Sequence, residues 1–349
     1  MPSSCDICLP QHRGYTMFFE NEESPAKLAT YFANYDDDQW MEIDATTVWM
    51  EETVAFSLLD YLEAYFDTQS LFVIPAQKHS PIQDRESRKP LHYLHEDKAA
   101  SWIDDVIDQR RILPHYQPIV EAPLNKEPLI VGHELLSRGK KDNGGLIPPF
   151  HLLEAARKRN RLFALDRACR ITCVEHAGVI NDQLIFINFI PTAIYVPEHC
   201  LSTTIHYIEK MNIRPENVVF EVVESDEVEN IEHLKSILNY YKKHGFQYAL
   251  DDVGTGANDL KKLAYLEPNI VKLAREYVDG VSSDPIKQHM ARSLLQVSDQ
   301  IGAKALAEGI EVKEDMDYLQ QMGYTLFQGY FFSKPQAIPV DALPDEIYV

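Results

Sequence analysis

The sequence predicts an α/β protein: a (β/α)8 TIM-type barrel preceded by a small α+β domain. Three observations carry the prediction. Eight short apolar or β-branched runs occupy the last two thirds of the chain, helical patterns lie between most of them, and a polar or charged residue stands near the end of each run. With 349 residues, 45% of them hydrophobic, the chain can build one large core and a smaller one.

The smaller domain is expected over residues 1–95. There "ESPAKLATYFANY" has a helix start and apolar helical spacing, "TVAFSLLDYLEAYF" reads as a second amphipathic helix, and "SLFVIPA" reads as a strand. Over residues 77–95 the periodicity lapses among prolines and mixed charges, which suggests a linker. No haem, flavin or nucleotide motif marks this part, so it could sense a ligand, mediate dimerisation or bind a partner. Cys5 and Cys8 in "CDIC" are spaced to hold half a zinc site or a redox pair, with His12 the other nearby ligand; two ordinary cysteines are the alternative.

The barrel is expected over residues 96–349. After a helical stretch from Lys98 to Arg111 come "HYQPIV", "LIVGHELL", "LIFINF", "NVVFEVV", "QYALDD", "NIVKLA", "AKALAEGI" and "YTLFQGYFF". Of the helical segments between them, "SDEVENIEHLKSILNYYKKHG" begins at a Ser225 cap and stops at Gly245. Cys169 and Cys173, one helical turn apart, read as core residues of a barrel helix. A doubly wound open sheet is the competing architecture, but it would carry a glycine-rich phosphate fingerprint after an early strand, and none is visible.

Composition excludes several classes of function. A formal net charge of −21 argues against binding polymeric nucleic acid or anionic lipid, both of which reward surplus Lys and Arg. No apolar run approaches the roughly 18 residues of a membrane span, and the N-terminus lacks the pattern of a signal peptide. Five cysteines, an odd number, fit a reducing compartment, so a cytoplasmic location is expected.

The strand-end residues are, in order, Gln117, Glu134, Asn188, Glu221, the pair Asp251 and Asp252, Lys272, Glu308 and Gln328. Each alone is more often a solvated edge or a helix cap. Together, at one barrel mouth, Glu134, Asn188, Glu221, Asp251, Asp252 and Glu308 offer hard oxygen ligands that suit Mg²⁺ or Mn²⁺ rather than zinc. Five carboxylates exceed the need of one ion, and two ions sharing a bridging aspartate suit in-line attack on a phosphodiester. Lys272 would be either a snorkelling surface residue or the holder of a water or phosphoryl oxygen.

With those residues in place, the sequence resembles the EAL family of cyclic di-GMP phosphodiesterases over roughly residues 100–340. "YQPIV" resembles its opening motif, "ELLSR" its signature Glu-Ala-Leu-x-Arg, and "DDVGTG" its Asp-Asp-Phe-Gly-Thr-Gly. "FINFIP", "FEVVES", "AEGIE" and "FQGYFFSKP" follow in the expected order. The resemblance implies a barrel with one antiparallel strand, a homodimer, and metal-dependent hydrolysis of cyclic di-GMP to linear pGpG. It implies that Glu134, Asn188, Glu221 and Asp251 hold one ion and that Asp251, Asp252 and Glu308 hold the second. Lys272 would orient the attacking water with Glu311 close by. Gln117, Leu136, Arg138, Gln328 and Pro335 would line the substrate, and Glu224 would steady the loop after the aspartates, whose glycines would turn both carboxylates toward the metal pair.

The departures are Leu135 for the signature alanine, Val253 for phenylalanine, Ala257-Asn258-Asp259 for Tyr-Ser-Ser, and Ala274 for the acid of the family's Lys-x-Asp. Ala274 keeps open a second function, a catalytically weak or inactive receptor for cyclic di-GMP. A third, a partner-binding scaffold, predicts unimpaired function after Glu134→Ala.

Overall fold

The computed structural model describes residues 13–21, 27–28, 31–81, 85–180, 182–222, 230–254 and 259–347. They fall into two compact units, one drawn from Met1–Asp108 and Glu154–Arg161, the other from Gln109–Leu153 and Leu162–Val349.

In the first unit, β1 (Gly14–Phe18), β2 (Trp40–Asp44), β3 (Thr47–Glu51), β4 (Phe72–Ala76) and β5 (Lys89–Pro90) form an antiparallel sheet in the order β2-β3-β1-β4-β5. β1 is buried at every position and takes the centre, whereas β2, "WMEID", has no fully buried residue and takes an edge. The helix Glu52–Tyr65 packs Val54, Ala55, Leu58, Leu59 and Leu62 into the core with Tyr15, Met17, Val48 and Val73. Each of the valine, leucine and methionine side chains among these contributes about 1.5–3 kcal/mol by leaving water. Together with helical residues at 27–28 and 31–32, the order of elements is that of a split βαβ fold.

The stretch whose composition suggests a linker carries regular structure. Lys89–Pro90 pairs with Phe72–Val73, and Leu91 and Leu94 join the unit's core. The helix expected from Lys98 to Arg111 is two helices, Tyr93–Ala100 and Trp102–Asp108. Cys5, Cys8 and His12 lie outside the described residues.

In the second unit all eight expected runs contain strands: β6 (Ile112–Glu121), β7 (Leu129–Lys140), β9 (Leu184–Phe189), β10 (Val218–Val222), β11 (Gln247–Val253), β12 (Ile270–Leu273), β13 (Lys304–Ala307) and β14 (Leu326–Phe327). The order β6-β14-β13-β12-β11-β10-β9-β7 closes through a β6–β7 pairing, and the short β8 (Leu146–Ile147) adds to β7 outside the ring. β6 is antiparallel to both neighbours; the other barrel strands run parallel. Ser225 lies outside the described residues, and the helix after β10, Ile231–Lys243, is capped by the Asn230 side chain accepting from His233 N. Gly245, at φ 83°, ends that turn as expected. Among the described residues no helix is long and apolar enough to cross a membrane.

Candidate active site at the barrel mouth

A layer of apolar side chains fills the barrel interior: Ile119, Phe186, Val219, Ala249, Ile270, Leu306 and Leu326, one from each of β6 and β9–β14. Side chains two residues apart on a strand share a face. Asn188, Glu221, Asp251, Lys272, Glu308 and Gln328 each stand two residues beyond a member of that layer. Gln117 stands two before Ile119 because β6 runs the other way, so its place comes from pairing opposite Glu134 and not from a C-terminal strand end. The alternation that buries the floor therefore also aims the polar residues into the mouth.

Asp251 and Asp252 would face opposite ways on a regular strand. β11 pairs Ala249 with Ile270 and Leu250 with Val271, then slips so that Val253 meets Leu273, which sets both aspartates against Lys272 alone. Asp252 adopts φ 52°, a left-handed conformation that aspartate tolerates better than most residues. The carboxylate oxygens of Asp251, Asp252 and Glu308 come within 4.8 Å of one another. This bulge brings the carboxylates together within the strand, ahead of the loop glycines to which the expectation gave that turn; of those, Gly254 has φ 116° and Gly256 lies outside the described residues. Thr255–Asn258, like Glu224, lies outside the described residues.

Lys272 is fully buried, its Nζ 3.0 Å from Asp251, 3.1 Å from Glu221, 3.4 Å from Glu308 and 3.5 Å from Glu134. Glu134 accepts from Asn188 Nδ2 and from Gln328 Nε2, both at 2.7 Å, and Gln328 also reaches Gln117 Oε1 at 3.3 Å. Both Glu221 oxygens, Asp251 Oδ1 and Glu308 Oε2 are buried without a hydrogen-bond partner. Burial opposes the charge of Glu134, yet Lys272 and the two amide donors hold its carboxyl below the usual range. Burial, reinforced by Glu134, pushes Glu221 well above that range. Glu308 is raised well above it by burial, with Lys272 opposing, and Asp252 is raised by burial and by Asp251. Burial disfavours the Lys272 ammonium, but the carboxylates led by Asp251 lift it well above the ordinary lysine value.

Those orphaned oxygens fit a hard divalent cation. One ammonium faces the carboxyl groups of Glu134, Glu221, Asp251, Asp252 and Glu308; with all five ionised, as cation binding would favour, four negative charges remain for two divalent ions to match. Histidine and cysteine, which would favour zinc, are absent from the set.

Beyond Glu134 on the same face of β7 come Leu136 and Arg138, both half-buried, and opposite them on β6 stand His115 and Leu113. Arg138 donates to the carbonyls of Leu136 and Ser137. Pro335 is held beside β6 by the paired backbone bonds of Tyr116 and Gln336, at 2.7 and 3.0 Å. Leu135 points away from the mouth into the core, 1% exposed. Glu311 is not among the carboxylates around Lys272; it pairs with Arg275 at 2.6 Å. Sequence reasoning overlooked Arg275 and His115. Two-residue spacing from Gln117 could have found His115, whereas no local signal marks the pairing of Arg275 with a residue so distant in sequence.

The profile described as "EAL domain" matches residues 100–335. The chain is 32% identical over 237 residues to the probable cyclic di-GMP phosphodiesterase PdeG of Escherichia coli (strain K12), a stretch covering 66% of this chain and 45% of that protein. It thus spans less than half the length of that relative. A standalone versatile EAL protein from Vibrio cholerae O395, solved in its c-di-GMP-bound form, is similar at 32% identity with a TM-score of 0.60, covering 68% of this chain and 98% of the other. The Bacillus subtilis YkuI protein, solved with substrate c-di-GMP and calcium, shares the fold at a TM-score of 0.56 and 24% identity, covering 71% and 61% of the two chains.

Proposed function

The chain belongs to the EAL domain family, and from that premise we propose that it hydrolyses cyclic di-GMP to linear pGpG with two Mg²⁺ or Mn²⁺ ions. The observation that carries the proposal is the ring of carboxylates around buried Lys272, which share that one ammonium and include several buried oxygens without a hydrogen bond. Glu134, Asn188, Glu221 and Asp251 would hold one ion; Asp251, Asp252 and Glu308 would hold the other. Bound there, the ions would polarise the scissile phosphodiester and activate water.

The chain's own groups do the rest. Lys272 donates toward the attacking water or a phosphoryl oxygen, and the amides of Asn188 and Gln328 fix Glu134 in its ionised form. Gln117, Leu136, Gln328 and Pro335 line the substrate, and Arg138 offers a planar guanidinium to its phosphate. Glu311 acts on the loop it shares with Glu308, where it holds Arg275, rather than beside Lys272. The buried free thiols of Cys173 and Cys200 support a cytoplasmic location, and the family supports a homodimer.

One observation favours a second reading, a receptor that binds the nucleotide without cleaving it. Ala274 is buried and supplies no carboxylate where the resemblance expects one. The test is incubation of purified protein with cyclic di-GMP and Mg²⁺ or Mn²⁺, following linear product by chromatography, with Glu134→Ala alongside. Product that vanishes in the variant supports hydrolysis; tight binding without product supports the receptor.

A further inference from the structure

Glu308 lies just past the end of β13, on a loop, and yet its carboxylate has to meet Asp251 and Asp252. One flank of that loop is fixed by backbone. Gln328 N donates to Ala307 O at 2.9 Å, Ile310 N to Gln328 O at 3.0 Å and Phe331 N to Ile310 O at 2.9 Å. The other flank has a single longer backbone bond, Glu308 N to Leu273 O at 3.3 Å. What completes it is a side chain. Arg275 lays its stem across Gly309, where a Cβ would stand 2.5 Å from Arg275 Cγ and 2.8 Å from its Cβ, and its guanidinium closes on Glu311 at 2.6 Å. Gly309, at φ 77°, has both the conformation and the bareness that this close approach requires.

The same helical turn, Arg275–Val278, reaches the loop of the paired aspartates. A Cβ on Gly254, two residues after Asp252, would stand 2.9 Å from the ring of Tyr277, and Gly254 also has positive φ, 116°. One turn after β12 therefore bears both on the end of β11, which carries Asp251 and Asp252, and on the loop that carries Glu308.

We infer that this turn is a brace, with Arg275 and Tyr277 as positioning residues that hold the three carboxylates in register for the second divalent ion. The inference rests on the metal-dependent reading above and extends it to residues that touch neither ion nor substrate. An exposed ion pair alone is worth little, so Arg275 acts through its packed stem as well as its charge.

The test is calorimetric titration of the intact protein with Mn²⁺ in the absence of nucleotide, with melting followed in parallel. Arg275→Ala and Tyr277→Ala should each weaken the looser of two Mn²⁺ sites by about three- to tenfold and leave the tighter site within about twofold. Arg275→Lys should fall between, and Tyr277→Phe, which keeps the ring, should match the wild type. Variants that bind both ions normally, or that weaken both sites equally together with a lowered melting midpoint, overturn the brace and leave the proposed reaction standing. Wild-type protein that takes up only one ion, or none, overturns the second ion and the brace with it.

Discussion

Among the described residues, Arg159 and Lys272 are buried cations that each face several carboxylates, and they are satisfied to very different degrees. In the first unit Arg159, 1% exposed, spends every guanidinium nitrogen: Nη1 and Nη2 hold Glu52 at 2.7 and 2.8 Å, Nε and Nη2 hold Asp104 at 2.9 and 2.6 Å, and Nη1 reaches Tyr15 at 3.2 Å. Arg13 and Arg161 add positive charge beside the same acids, and Asp97 Oδ1 is the one carboxylate oxygen left over. At the barrel mouth Lys272 faces more acids with less charge, and Glu221 has no hydrogen-bond partner at either oxygen. A buried network that closes on itself specifies structure; one that does not close is waiting for another group.

The largest expected effect tests the open network. Glu221→Gln should lower hydrolysis by about a thousandfold or more, because metal terms are worth several kcal/mol and each 1.36 kcal/mol is about tenfold. It should leave the melting midpoint of metal-free protein unchanged or higher, since burial already disfavours the Glu221 charge and the amide carries none, while Lys272 keeps Asp251, Glu134 and Glu308 as partners. It should also abolish the stabilisation that Mn²⁺ gives the wild type. A metal-free midpoint that falls sharply would erase the contrast, because it would make Glu221 a structural partner of Lys272.

Next comes the closed network. Arg159→Ala strands Glu52, Asp97 and Asp104 together, and breaking a buried ion pair from one side costs about 3–5 kcal/mol. Urea unfolding should show that loss, and Mn²⁺ should not restore it. Rescue by Mn²⁺ would mean that the two clusters are not different in kind.

Much of the barrel was legible because its chemistry is written at short range. Strands β9, β10 and β12 are buried almost throughout and turn polar only at the mouth. In β9–β14 the polar residue stands two places beyond an apolar one on the same face, and the pattern repeats from run to run, so Phe186 announces Asn188, Val219 announces Glu221 and Ile270 announces Lys272. The bulge at Asp251–Asp252 was not legible, because a positive φ in aspartate leaves no mark on the sequence. Nor was the Arg159 network, whose members at 13, 15, 52, 97, 104 and 159 meet only through folding. The central strand of the first unit, "GYTMF", escaped for a related reason: buried on both faces, it shows no alternation, and a lone short run does not separate strand from helix.

The smallest expected effect sharpens the contrast within one strand. His133 precedes Glu134 and points to the other face of β7, where it is fully buried beside Tyr116 and its Nδ1 lies 2.9 Å from Gln183 Oε1. Burial, opposed by Gln183 and by the charge of Asp341, lowers its pKa below the usual 6.5. As pH falls through 6.5 the unfolded chain takes up this proton before the folded one does, so the histidine's share of stability is lost on the acid side and is complete above 6.5. Midpoints measured from pH 8 to pH 5 should therefore decline in the wild type and decline less in His133→Gln. Hydrolysis at pH 8 should be unchanged in that variant. If it dropped as it does in Glu221→Gln, the two faces of β7 would not be separable, and the working side of the strand would extend to His133.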